Sequence, residues 1–114
     1  MAARSEAVLS AGSKEVRLLY TNRALAEAEA QSGKSIVTIT QGLSTGASGI
    51  SEIAALLRAG MEAARRDAGT GGRAVSINDA YEVLDEVGFE MSATTVVTAV
   101  AEVLSYGSKN LKNV

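Results

Sequence analysis

A mainly α fold, with a small N-terminal β-hairpin packed on a compact bundle of four to five helices, follows from three observations. Apolar residues recur at helical spacing over three separate stretches, 50–64, 77–87 and 96–104. Capping residues and glycines stand where those helices should begin and end. Ahead of them, two short runs with strand character flank a glycine.

The hairpin comes first. Ala7–Ser10 and Val16–Tyr20 flank Ala11-Gly12-Ser13-Lys14, and Gly12 suits the turn. Two strands alone are marginal in water, so this unit must lean on helices. The first helix starts at Thr21 or Asn22 and ends at Gly33, with Ala24, Leu25 and Ala28 inward and Glu27 and Glu29 on the wetter side. Tyr20 is placed to pack back onto its first turn. The stretch Ser35–Thr40 is β-branched like a strand, yet Ile36, Ile39 and Leu43 fit a short helix, the reading favoured here. Residues 42–49, rich in Gly and Ser, read as a loop.

The next helix is the clearest element. Ile50, Ile53, Ala54, Leu57, Met61 and Ala64 form one face, capped by Ser48 or Ser51, and Leu56 and Gly60 widen it. Gly60 marks a close helix contact. Glu62 precedes Arg65 and Arg66 by three and four residues, which predicts pairs on a solvated face. After a flexible link at 69–72, Ser76 and Asp79 form a capping-box pattern for a helix with Ile77, Ala80, Tyr81, Leu84 and Val87 inward and Gly88 as its stop. Phe89 is read as an anchor of the following turn. Ser92 is read as the cap of a last helix lined by Val96, Val97, Val100, Val103 and Leu104 and ended by Gly107. Residues 1–114 thus form a single domain, with an ordered core of about 6–107 and a polar tail at 108–114.

Composition narrows the function. Hydrophobic residues make up 46%, enough for a core, but aromatics are only 4%, so the core is built of small side chains and stability should be marginal. Cysteine and histidine are both absent. That removes disulfides, thiolate or imidazole metal sites, a Cys nucleophile and the commonest general base. No cofactor and no catalytic activity are expected. A net charge of −2 argues against binding nucleic acid, which needs a basic face. No apolar run has the length of a bilayer span and Met1–Glu6 lacks the order of a secretory signal, so a cytoplasmic location is expected.

Four motifs invite sharper readings. Gly33-Lys34-Ser35 matches the end of a phosphate-binding loop, but Ala28 stands where that loop needs glycine, and a helix rather than a strand precedes it. Gly33 reads instead as a helix cap. Gly42, Gly46 and Gly49 lack dinucleotide-fingerprint spacing and read as connecting loop. Arg65 and Arg66 complement a helix C-terminus. Glu82, Asp85, Glu86 and Glu90 could hold a divalent cation, although an exposed acidic face is the better reading.

The order of segments resembles the phage tail assembly chaperone family that includes the tenth tail-cluster protein of gene transfer agents, also labelled a tail tube protein. After the hairpin come Arg23-Ala24-Leu25-Ala26-Glu27-Ala28-Glu29 through Gly33, then Ala55-Leu56-Leu57-Arg58-Ala59-Gly60-Met61, then Val83-Leu84-Asp85-Glu86-Val87-Gly88, then a closing helix. The resemblance spans roughly residues 6–107, and the Gly/Ser-rich stretch 42–49 is longer than the family pattern. It implies a non-enzymatic, cytoplasmic protein that binds the tape measure protein during tail assembly, with tail tube subunits as a second candidate partner. A structural virion component, such as a tail tube or tail completion protein, is the alternative, and a homo-oligomer stays open. Relatives often make a longer form by frameshifting; Lys109-Asn110 and Lys112-Asn113 could be encoded by an A-rich stretch, although an ordinary polar tail is the better reading. The implied mechanism is shielding of apolar helical stripes in a small-residue groove, with Leu56, Met61, Val97 and Leu104 as its candidate edge positions, although core packing is the better reading for most of them.

Overall fold

The computed structural model describes residues 3–106. The Gly107 stop and the tail at 108–114 lie outside the described residues. The expected class is what is found: the described residues form an antiparallel hairpin followed by five helices. Strand β1 (Ser5–Ala11) pairs with β2 (Lys14–Tyr20) in a register that sets Ala11 opposite Lys14, leaving Gly12 and Ser13 as the turn. Gly12 supplies the positive φ (64°) that so tight a turn requires. Alternation buries Leu9 and Ala11 on one strand and Leu18 and Tyr20 on the other.

Helix α1 (Asn22–Ser32) starts where Thr21 Oγ1 accepts from Ala24 N (3.2 Å) and stops at Gly33. Helix α2 (Ile36–Thr45) settles the ambiguous stretch in favour of a helix. Its β-branched side chains are tolerated because Ile36 and Ile39 are buried, so packing outweighs propensity. The helix also takes in Gly42, which corrects the loop reading; only 46–49 are left to connect. Gly42 is needed inside the helix because Ser48 folds over it. A Cβ there would lie 2.9 Å from Ser48 Cβ and 3.0 Å from Ser48 N, and Ser48 N donates to Gly42 O at 2.9 Å. Gly42→Ala should therefore cost about 1–3 kcal/mol in urea unfolding, despite alanine's better helix propensity.

Helix α3 (Ile50–Ala68) is the centre of the molecule: β2, α1, α4 and α5 all pack on it. Neither Ser48 nor Ser51 caps it; Gly49 does, with Glu52 Oε1 accepting from Gly49 N (2.9 Å). Ile50, expected inward, sits in the first turn and is exposed. Helix α4 (Ile77–Val87) has the expected capping box: Ser76 Oγ accepts from Asp79 N (3.2 Å), and Asp79 accepts from Ser76 N (2.9 Å). Tyr81 lies at the surface rather than inward. Helix α5 (Phe89–Leu104) begins at once after Gly88, three residues before the expected cap; Phe89 is its first residue rather than part of a turn. Ser92 is consequently an enclosed residue of the helix, and its hydroxyl has no hydrogen-bond partner among the described residues. Gly88 bends the chain by 115° between α4 and α5. Among the described residues no single helix is long and apolar enough to cross a membrane; α4 and α5 reach that length and hydropathy only as this bent pair.

One apolar cluster draws on all seven elements, from Leu9 and Tyr20 through Ile39, Leu56 and Leu57 to Leu84, Val96 and Val103. Tyr20 is its largest fully enclosed side chain. Instead of packing back on α1, its ring lies across α3 at Gly60, and its hydroxyl donates to Leu56 O (2.8 Å). Glu62 is likewise enclosed rather than solvated, at 2% exposure.

Candidate functional site

Helix α2 packs chiefly on α1 and α5, which leaves a furrow between α2 and α5 open to solvent. One part of it, a cleft of about 450 Å³, is lined by Leu43, Ser44, Phe89, Glu90, Ala93, Thr94, Val97 and Thr98. A second part of about 180 Å³ continues toward the C-terminus of α5, between Thr40, Gln41 and Ser44 on one side and Val97, Ala101 and Leu104 on the other. Ser44 and Val97 belong to both, so the two form one groove along α5.

The groove is less polar than its composition suggests. Hydroxyls along its walls turn back onto their own helices: Thr40 Oγ1 donates to Ile36 O (3.0 Å), Ser44 Oγ to Thr40 O (3.2 Å) and Thr98 Oγ1 to Thr94 O (2.9 Å). Satisfied in this way, these side chains can be covered without leaving a donor stranded. The apolar material is Leu43, Val97, Phe89 at 36% exposure and Leu104 at 45%.

Of the four expected edge positions, Val97 and Leu104 line this groove. Leu56 does not and is corrected: α3 is covered on nearly every side, and Leu56 is 0% exposed in the core. Met61 is half-buried on the same helix and packs against the core cluster, away from the groove lining. Sequence reasoning missed Leu43, Phe89 and Glu90 as site residues. The signal for the first was present in the Ile36/Ile39/Leu43 spacing; that for the other two was hidden by the misplaced start of α5.

The remaining motifs are accounted for by internal contacts. At Gly33-Lys34-Ser35, groups that would hold a phosphate are engaged by the protein's own side chains. Glu29 Oε2 accepts from Ile36 N (2.8 Å), Ser35 Oγ accepts from Thr38 N (3.1 Å), and Lys34 Nζ pairs with Glu52 (3.5 Å). Arg65 and Arg66 both grip Glu62, at 2.7 and 3.0 Å. Glu62 Oε1 also accepts from Val75 N (2.9 Å), which ties the link after α3 back onto that helix. The Arg65 hydrogen bonds, reinforced by the one from Val75 N, outweigh burial and hold the Glu62 carboxyl down at about 2. Bidentate Arg73 does the same for Asp79, with both bonds at 3.0 Å. Among the described residues, no group of three or more carboxylates is placed to hold a metal ion.

No protein-family model, no curated protein and no solved structure matches this chain.

Proposed function

We propose that this chain is a non-enzymatic tail assembly chaperone that works in the host cytoplasm and binds the tape measure protein while a phage or gene-transfer-agent tail is built. The family resemblance suggests the role, and the groove between α2 and α5 supports it. It runs from Phe89 to Leu104, about four turns or roughly 22 Å. That length accommodates one amphipathic helix laid along it, anchored by side chains at every third or fourth position. A tape measure protein exposes such stripes before the tail tube encloses it, and uncovered stripes aggregate. A reversible cover needs neither a nucleophile nor a cofactor, in keeping with a chain that has no cysteine or histidine.

The test is co-expression with the tape measure protein of the same tail gene cluster. A soluble, co-eluting complex is expected, together with absence of this chain from finished particles. Val97→Asp combined with Leu104→Asp should weaken the complex at least about tenfold, equivalent to about 1.4 kcal/mol, with the circular dichroism spectrum unchanged. Stoichiometric presence in particles, or rings and tubes formed in solution, would instead make it a structural tail component.

A further inference from the structure

We infer that the helix taken up by the α2–α5 groove flanks its apolar stripe with lysine or arginine; this rests on the groove being the binding site proposed above. The protein's charges are sharply segregated. Helix α2 carries no charged side chain, and α4 and α5 carry Asp79, Glu82, Asp85, Glu86, Glu90 and Glu102 but no lysine or arginine. Every lysine and arginine among the described residues lies in or just before the hairpin, in α1 or α3, or in the connecting segments.

The basic side is largely neutralised from within. Arg4 and Arg17 pair with Glu6 and Asp67, Arg23 and Arg58 with Glu27, and Arg66 with Glu27 and Glu62. The acidic side is not. Asp79 is taken by Arg73, and Glu102 accepts from Ser5 Oγ (2.9 Å). Glu82, Asp85, Glu86 and Glu90 have no ion-pair partner among the described residues. Lys34, just ahead of α2, is held by Glu52.

Among the described residues, Glu90 is the one charged side chain that lines the groove, and it stands beside Phe89 at one end. The other end, at Leu104, is apolar. An occupant with acidic flanks would set like charges against Glu90. An occupant with basic flanks would be drawn in by the same field.

The experiment uses the full chain and three fluorescent peptides of about 18 residues with one identical Leu/Ala stripe and flanks of Lys, Gln or Glu. At about 50 mM salt the Lys peptide should bind at least about tenfold more tightly than the Glu peptide, and at about 500 mM the gap should shrink to about two- to threefold. Glu90→Lys should remove or invert the preference, and Val97→Asp and Leu104→Asp, each checked for intact secondary structure, should abolish binding of all three. Equal binding of the three peptides at both salts, or a preference untouched by Glu90→Lys, overturns the inference while leaving the groove as a helix site. Binding by none of them, or binding indifferent to Val97→Asp and Leu104→Asp, removes the groove reading itself.

Discussion

Tyr20→Ala should lower the free energy of unfolding by about 3–5 kcal/mol, a large part of the roughly 5–15 kcal/mol that holds a small domain together. In a core built mainly of aliphatic and small side chains, no neighbour is free to fill the space this ring leaves. The ring is fully enclosed against α3 and forms the principal joint between hairpin and helices. Burial pushes its phenol well above the ordinary tyrosine range, so the hydroxyl remains a donor to Leu56 O. Tyr20→Phe, which keeps the ring and loses that bond, should cost only about 1 kcal/mol. The helix side of the joint is equally constrained. A Cβ on residue 60 would lie 2.6 Å from Tyr20 Cζ and 2.7 Å from its oxygen. Gly60→Ala should therefore destabilise by about 1–3 kcal/mol, against about 1 kcal/mol gained in helix propensity. In a Tyr20→Ala background the clash is gone, and the same substitution should become neutral or favourable; a urea double-mutant cycle measures the coupling. Independent, additive effects of the two changes would refute this account of the joint.

The second large effect is at Glu62. Removing this enclosed carboxylate leaves the Val75 N–H without its acceptor, takes the ion pair from Arg65 and leaves Arg66 with Glu27 alone, so Glu62→Ala should cost on the order of 2–3 kcal/mol, less than a fully buried pair because Arg65 and Arg66 remain partly wet and keep other acceptors. The link from α3 to α4 should then become open to protease around Gly69–Ala74. The same group predicts a pH dependence. Its folded pKa of about 2 lies below the ordinary 4.5, so the unfolded chain takes up the proton first as acid is added. The stabilisation is complete above about pH 4.5 and is lost as pH falls toward 2. Asp79, held at about 2 from an ordinary 3.8, adds to the same limb with the same sign. Stability measured by chemical denaturation across this window should fall steeply for the native chain and less steeply for Glu62→Gln. An unchanged acid limb in that variant would show that Glu62 is not its origin.

Much of the fold was legible because local chemistry marks it. Thr21 and Gly33 bracket α1, Ser76 with Asp79 opens α4, and Gly12 turns the hairpin, each through contacts within a few residues. The errors arise where a distant contact decides. Ser92 looks like a cap, but Gly88 already starts the helix, and the residues after it are drawn inward by α3 and the hairpin. Glu62, with arginines three and four positions on, has the pattern of an exposed helix pair; only the return of the chain at Val75 encloses it. Gly42 reads as a loop residue until Ser48 is seen lying over it. Leu56 shows the limit for the site. Helical spacing puts it on an apolar face, yet nothing in that spacing tells how many neighbours the helix will have, and α3 has four. Val97 and Leu104 belong to a helix with one side uncovered, and that depends on where α2 comes to rest.

The placement of Tyr20 also gives the molecule a built-in optical probe. The chain has no tryptophan and three tyrosines, and Tyr81 and Tyr106 lie at the surface. Tyr20 alone among the described tyrosines is fully enclosed, so the dichroic band near the aromatic absorption edge should draw most of its amplitude from the seam between hairpin and α3. Its amplitude tracks the seating of the hairpin while the amide spectrum tracks the helices, and a divergence between the two would reveal a species with helices formed and the first twenty residues detached.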